Sequence, residues 1–453
     1  MATSTTPPTA APQNAGQRAA VASKPRMGAF ASLSIRNFRL FWLGQVISVS
    51  GTFMQSTAQD WLVLTLAPKN PIALGITGAL QFGPILLLGP LTGMLIDRYP
   101  RRAILFCTQT VAGLQALVLG ALTFTHTAQL WHVWALALVL GIVNAVDNPT
   151  RQAFVSEMAP PSHLLNAISL NSVQFNVARI FGPAVAGGLI ALLGIPLLFF
   201  LNGLSFIAVI SGLAMMRGEE LYPTPRSKNA TRGLRGVGEG MRFIWKDRDI
   251  RITFLLLAVV GLMGFNFSVL LPLDARLTLR SSAVDYGFLS ASLGVGALAG
   301  ALLLARRSGK PTRRILIGTA LIFGVLEIAA GQMRSLIPTM IFIAATGAMM
   351  SAFSASANTI TQLSSPPEMR GRVMSVYTMI FMGTTPIGNL TVTSIAAGFG
   401  TPASFIAAGA PCILVAIVAF LLWRREDTRA LQPQPSRVVD APAAMAGAGA
   451  GGE

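Results

Sequence analysis

The chain has 453 residues, of which 53% are hydrophobic and 11% charged, and its formal net charge is +17. A soluble globular chain carries about 25% charged residues, so this much apolar surface cannot be hidden in a water-soluble core. The Lys and Arg residues behind the positive charge are spread over seven separate segments, which excludes the single basic face of a nucleic-acid binder.

In chain order, residues 1–32 are expected to be a disordered cytoplasmic tail. Residues 1–27 are rich in Ala, Thr and Pro and lack the apolar h-region of a signal peptide. A transmembrane helix needs roughly 20 mostly apolar residues. That ruler places spans at 38–66, 72–96, 103–125, 130–158, 164–192, 196–216, 252–273, 284–305, 314–332, 336–362, 372–398 and 403–423. The runs are continuous and do not alternate with period two, so they are helices and not barrel strands. The expected fold class is an all-α polytopic membrane protein with twelve transmembrane helices in two six-helix pseudo-repeats. The first bundle covers 33–217 and the second 251–425. A cytoplasmic linker occupies 218–250, and 426–453 form a second disordered cytoplasmic tail. Within the linker, "GVGEGMRFIWKDRDIR" sets Val237, Met241, Ile244 and Trp245 on one helical face, as expected of a helix lying on the membrane surface.

Of the 34 Lys and Arg residues, only Lys69, Arg179, Arg276, Arg280 and Arg334 fall outside the segments that share a side with the termini. The positive-inside rule then puts both termini in the cytoplasm of a multi-pass cell inner membrane or plasma membrane protein. Cys107 and Cys412 lie inside spans and imply neither a disulfide framework nor a metal site. His126, His132 and His163 sit at or near loops without metal-ligand spacing or a nearby nucleophile, so no metal, no cofactor and no enzyme activity are expected.

The halves show internal similarity. A shift of 207 residues superposes Gly93 on Gly300, Asn144 on Ser351, Asp147 on Ser354 and Arg151 on Asn358, and a shift of 206 superposes Pro160-Pro161 on Pro366-Pro367. Duplicated halves around a shared cavity are how many secondary transporters are built.

At residues 93–102, "GMLIDRYPRR" resembles the loop signature of the major facilitator superfamily, G-x-L-x-D-R-x-G-R-[RK]. Gly93, Leu95, Asp97, Arg98, Arg101 and Arg102 match, while Pro100 replaces the usual glycine. "DNPTRQAFVSEMAP" (147–160), "ARIFGPAVAGGL" (178–189) and "EGMRFIWKDRDIR" (239–251) further resemble the enterobactin-exporter-like, drug:proton antiporter branch. The resemblance implies an alternating-access exporter. It makes Asp97 part of a gate that locks the halves, with Arg98 and Arg101 as partners. The three loop arginines have a second reading as topological anchors. Gly182, Pro183, Gly187 and Gly188 resemble the antiporter motif of span five, where proline bends the helix near an outer seal. Gly89-x-x-x-Gly93 and Gly296-x-x-x-Gly300 have the spacing of close helix packing.

Ionisable groups inside spans mark the expected site. Asn144, Asp147, Asn148 and Arg151 fall on one face of span four. A lone charge at the bilayer centre costs about 2.5–3.5 kcal/mol, which Asp147 and Arg151 offset by pairing. The pair is either a proton or substrate site or a static anchor. The matching face of span ten carries Ser351, Ser354, Asn358 and Gln362, which are polar but uncharged. Arg179, with Asn171 and Gln174 nearby on span five, needs a carboxylate, with Asp147 the first candidate and Asp60 the second. Asp60 is either a coupling group or an interfacial acid beside Trp61, and Glu327 lies within span nine.

The expected function is secondary active export of a small amphipathic or apolar molecule (a drug, siderophore or metabolite) by proton antiport. Protons and the small molecule are its partners in the lipid bilayer, and the protein is a monomer. The alternatives are a facilitator without proton coupling and a receptor or scaffold that kept a transporter-like fold.

Overall fold

The computed structural model describes residues 28–222, 233–306 and 311–430. Helices α1 (Arg36–Leu66), α2 (Ile72–Arg98), α3 (Arg101–Phe124), α4 (Leu130–Met158), α5 (Pro161–Leu193) and α6 (Ile195–Ala214) make the first half. After α7 (Gly233–Lys246), span seven is built of α8 (Arg248–Val259), a π turn at Val260–Gly264, α9 (Phe267–Leu273) and a second π turn at Asp274–Thr278. The chain continues with α10 (Ala283–Arg306), α11 (Arg313–Gln332), α12 (Leu336–Ser364), α13 (Pro367–Gly383), α14 (Thr385–Phe399) and α15 (Thr401–Ala430). Each expected span coincides with helix, and span eleven is the pair α13–α14, interrupted at Thr384.

Among the described residues, ten helical segments are long and apolar enough to cross a membrane on length and composition alone. The two remaining expected spans, α1 and α13–α14, fall short for different reasons. The second is broken into pieces of 17 and 15 residues. The first carries buried amides: Gln55 Nε2 donates to Gln115 at 3.0 Å, Asn202 donates to Gln55 at 2.7 Å, and Gln59 donates to Gln81 at 3.3 Å. This chain of amides ties α1 to α2, α3 and α6, so polar groups that would be costly in lipid satisfy one another inside the half.

The duplication is visible in the backbone. Gly194, between α5 and α6, has φ 82° and ψ 167°, and Gly400, between α14 and α15, has φ 84° and ψ 165°. Both take the positive φ that favours glycine, and each is followed two residues on by proline, Pro196 and Pro402. Helix pairings recur as well. Helix α2 packs on α4 as α10 packs on α12, and α3 packs on α6 as α11 packs on α15.

Several details differ from expectation. Residues 28–32 of the expected tail pack on the bundle: Ala31–Ser34 form a 3-10 turn, and fully buried Ser32 bonds Asn166 and the His163 carbonyl at the start of α5. Helix α15 runs on to Ala430, because no glycine or proline follows Pro411 until Pro433. The remaining tail residues, 1–27 and 431–453, lie outside the described residues. Helix α7 packs its apolar face on protein. Ile244 is buried, Val237 and Met241 join the same core, and Glu239 pairs with Arg372 of α13, while Trp245 points away.

The two G-x-x-x-G pairs also part company. A Cβ at Gly296 or Gly300 would land on the carbonyls of Ala344 and Ala348 in α12, whereas one at Gly89 or Gly93 would meet nothing within 4 Å. The first pair is a packing motif. The second lies on an open helix surface in this state. Gly296→Val should therefore lower thermal stability in detergent through overpacking worth about 1–3 kcal/mol, whereas Gly89→Ala should leave it unchanged or slightly higher. Equal losses at both positions would contradict the distinction.

Candidate functional site

The start of α1, the ends of α6 and α15 and the α2–α3 turn, linked to their neighbours by Asn37–Arg217, Arg102–Ala214 and Arg248–Leu422, mark one end of the bundle, the basic end; the other is the distal end. The two halves meet along two helix pairs, α5 with α10 and α2 with α14. At the distal end this seam runs backbone to backbone. A Cβ at Gly187 would lie 2.6 Å from the Ala283 carbonyl oxygen, and one at Gly287 2.5 Å from that of Pro183. On the other pair, Gly75 and Gly78 of α2 lie under Thr393 and Asn389 of α14. Glycine is what permits such approach. Gly182 instead meets α1, where a Cβ would lie 2.6 Å from the Phe53 Cβ, and Gly188 faces open space. The four antiporter-like residues thus separate: Pro183 and Gly187 on the seam, Gly182 against α1, and Gly188 free of both.

Polar side chains reinforce the seam at its distal end. Tyr286 of α10 donates its hydroxyl to Asp60 of α1 at 2.8 Å. Trp61 stacks on Tyr286 at 6.3 Å between ring centroids, and the Arg276 guanidinium lies 5.2 Å from the Trp61 ring centre. Asp60 is therefore bonded to Tyr286 and not to Arg179. It joins the first half to the second.

Toward the basic end, α1, α4 and α5 enclose a cavity of about 550 Å³. Asn148, Arg151, Asn171 and Gln174 line it, and Asn144 does not. Gln45, Gln152, Ser172 and Asn176 add polar groups, and Phe41, Val49, Val155 and Phe175 supply apolar wall. The size and mixed lining suit a small-molecule ligand.

Behind the wall, Asp147 is 1% exposed and is held on every side. Arg151, one turn along the same helix, pairs with Oδ2, while Thr108 Oγ1 and Gln109 Nε2 donate to Oδ1 at 2.7 and 2.8 Å. Arg151 also donates to Gln45 Oε1 at 2.8 Å, which joins α1 to the network. The expected meeting of Asp147 with Arg179 does not occur. Its own-helix cation and two donors from α3 occupy the carboxylate, and the Arg179 Nε is buried with no hydrogen-bond partner among the described residues.

Two more carboxylates are fully buried in the second half. Both oxygens of Glu327, on α11, and both of Asp274, in the π turn of span seven, have no hydrogen-bond partner among the described residues. Sequence reasoning missed Asp274 by reading 252–273 as the span and ending it one residue short. It also missed Glu157, which binds Arg101 at 2.8 Å while the same guanidinium donates to the Ala153 carbonyl at 3.2 Å. Arg102 donates to the Ala214 carbonyl at 3.1 Å, and Arg98 lies over the Tyr99 ring. The loop arginines thus tie α3 to α4 and α6 within one half. Asp97 is in the last turn of α2, and its side chain lies outside the described residues.

The expected polar face of α12 does not line the cavity. Ser354 donates to the Met350 carbonyl, and Gln362 donates to Asn358 at 2.6 Å, so these groups satisfy one another along their own helix. Ser351 is half-buried on the same face.

A family profile described as a transmembrane secretion effector matches residues 27–446. The staphyloferrin A transporter of Staphylococcus aureus is 25% identical over 393 residues, 85% of this chain and 96% of that protein. The multidrug efflux pump Tap of Mycolicibacterium fortuitum is 27% identical over 388 residues, 83% and 93% of the two chains. Macrolide efflux protein A of Streptococcus pyogenes is 25% identical over 394 residues, 84% and 94%. Among solved structures, a bacterial homologue of the lysosomal transporter Spinster, inward-facing and unoccupied, aligns with a TM-score of 0.69 at 15% identity, covering 88% of this chain and 99% of that one. A bacterial homologue of the iron transporter ferroportin, also inward-facing, aligns at 0.65 with 18% identity, covering 86% and 98%. These structures share the fold, and the matched family is one of transporters and not of enzymes. The chain is a multi-pass membrane protein that belongs to the transmembrane secretion effector family of the major facilitator superfamily.

Proposed function

We propose that this protein exports a small amphipathic molecule from the cytoplasm by alternating access, in exchange for protons, and that it works as a monomer. One observation carries the reading: the halves touch through glycine-lined backbone at the distal end, while the cavity lies toward the basic end. The positive-inside rule makes the basic end cytoplasmic, so the cavity is loaded from the cytoplasm. The efflux function named for the Tap and macrolide relatives supports the outward direction.

In this reading Asp147 couples the proton to the cavity. Its carboxylate holds Arg151 by the Nη2 edge. A proton on Asp147 removes the charge that Arg151 pairs with, and the guanidinium is then free to turn toward the cavity it lines. Opening to the far side requires the Tyr286–Asp60 bond and the α5–α10 seam to part. The domain boundaries follow the same logic: two bundles, 33–217 and 251–425, rock about a cytoplasmic linker, and the Asp97 loop locks them when the cytoplasmic side is closed. One elementary charge moved through 100 mV supplies about 2.3 kcal/mol, so one or two protons suffice for a large concentration ratio.

Transport into inverted membrane vesicles under an imposed pH gradient tests the proposal. Wild type should accumulate a substrate dye, and collapse of the gradient should stop it. Asp147→Asn should insert normally and lose pH-driven accumulation, and wild-type coupling in that variant would remove Asp147 from the mechanism. The pair also has a structural side. Arg151→Ala leaves a buried carboxylate without its cation and should cost about 3 kcal/mol in detergent unfolding. Asp147→Asn combined with Arg151→Gln should recover most of that loss, and an additive double variant would contradict the pairing.

A further inference from the structure

The second half keeps a basic segment where the first half has its Asp97 loop, but the acid is gone. Under the 207-residue shift Leu304 stands at the place of Asp97 and Ala305 at that of Arg98. Residues 301–320 contain Arg306, Arg307, Lys310, Arg313 and Arg314, with no aspartate or glutamate among them. Arg313 is already engaged. It pairs with Asp249, whose other oxygen accepts from Trp423 Nε1 at 2.9 Å, and it lies over the Trp423 ring. These bonds set the start of α11 beside the end of α15, at the basic end. Arg306 and Arg314 are exposed, and neither has an acid or hydrogen-bond partner among the described residues.

Beside these two arginines lies a cleft of about 320 Å³. Helices α10 and α11 both pack along α12, yet among the described residues they share no extended contact with one another. The cleft is the space between them, lined by Ala301, Leu304 and Ala305 of α10, Ile315 of α11, and Ala355 and Thr359 of α12. Its walls hold no charged side chain, and Thr359 supplies their one polar side chain. Leu302 and Leu303 are exposed, so this edge of α10 faces away from the protein. Arg306 follows Ala305 and Arg314 precedes Ile315, so both side chains start at the mouth of the cleft. Their long apolar stems let the guanidinium groups reach the membrane surface.

We propose that this cleft holds an acyl chain of an anionic phospholipid, whose headgroup phosphate lies between Arg306 and Arg314. A soluble anion has no use for the apolar walls, and an uncharged hydrocarbon has none for the unpaired arginines. A phospholipid uses both. The planar fork of arginine matches phosphate. The positive-inside rule makes the basic end cytoplasmic, and the cytoplasmic leaflet carries the anionic lipids. A zwitterionic headgroup brings its own ammonium beside the arginines and is held less well. The bound lipid fills the gap that protein leaves between α10 and α11.

Purified full-length protein, washed free of its own lipid, is offered equal amounts of phosphatidylglycerol and phosphatidylcholine with identical acyl chains. Native mass spectrometry counts what it keeps. Wild type should retain phosphatidylglycerol at least fivefold over phosphatidylcholine, and added inorganic phosphate should not displace it. Arg306→Gln with Arg314→Gln should abolish the preference. Arg39→Gln with Arg217→Gln removes the same charge from the first half and should leave the preference intact. Ala301→Leu and Ala355→Leu, which fill the cleft, should each lower phosphatidylglycerol retention at least fivefold. Thermal unfolding establishes that each variant is folded, and if neither leucine variant folds, the arginine pairs and the phosphate competition decide. Equal retention of the two lipids by wild type, equal loss in both arginine pairs, or full retention in a folded leucine variant overturns the proposal. Displacement by inorganic phosphate overturns it too, because the site would then bind an anion and ignore the chain. Each of these results leaves the transport reading standing.

Discussion

Close approach of backbone between the two halves is the constraint on which the rest of the structure depends. Helices α5 and α10, and their counterparts α14 and α2, lie against each other where Gly187, Gly287, Gly75 and Gly78 leave no side chain in the way. Contact made of backbone and small residues can part without leaving large apolar side chains to be re-covered. Few options of this kind exist in a bilayer, where lipid tails are as apolar as leucine and association relies on packing and hydrogen bonds. The Tyr286–Asp60 bond and the Trp61–Tyr286 stack add a directional component at the same place. The cavity between α1, α4 and α5 lies within the first half, toward the basic end.

The halves share a backbone plan but not an electrostatic one. In the first half the buried acid Asp147 is compensated by Arg151, Thr108 and Gln109, and the network reaches α1 through Gln45. The positions matching Asp147 and Arg151 in the second half hold Ser354 and Asn358. The fully buried acids of the second half among the described residues, Glu327 and Asp274, stand elsewhere and without hydrogen-bond partners among those residues. Duplication therefore fixed where helices pack and turn, as the matched Gly194 and Gly400 turns record. The chemistry diverged between the copies.

Much of this was legible in the sequence because it rests on length and period. Spans follow from the thickness of the hydrocarbon, and the shared face of Asn148 and Arg151 follows from helical spacing. The Asp147–Arg151 pair was readable because both partners sit on one helix four residues apart. Partners on different helices were not. Neither Thr108 and Gln109 as ligands of Asp147, nor Glu157 as the partner of Arg101, nor Tyr286 as that of Asp60, leaves a mark in local spacing. Gln45 is one of several amides on α1, and only its bond to Arg151 distinguishes it. The glycine pairs make the same point: Gly89–Gly93 and Gly296–Gly300 have identical spacing, yet only the second has a helix against it. On α7 the apolar face of Val237, Met241 and Ile244 was legible, but sequence alone could not say that Trp245 leaves it or that protein rather than lipid covers it.

Alternating access is tested most directly by pulsed electron-spin distance measurements on two label pairs in a variant free of Cys107 and Cys412. One pair, Leu165→Cys with Leu303→Cys, brackets α5 and α10 at the basic end, and the other, Leu192→Cys with Ser282→Cys, brackets them at the distal end. All four positions are exposed. A transported compound together with a change of pH should shorten the first distance and lengthen the second in the same population of molecules. Fixed distances in both pairs, or both changing in the same direction, would contradict the account.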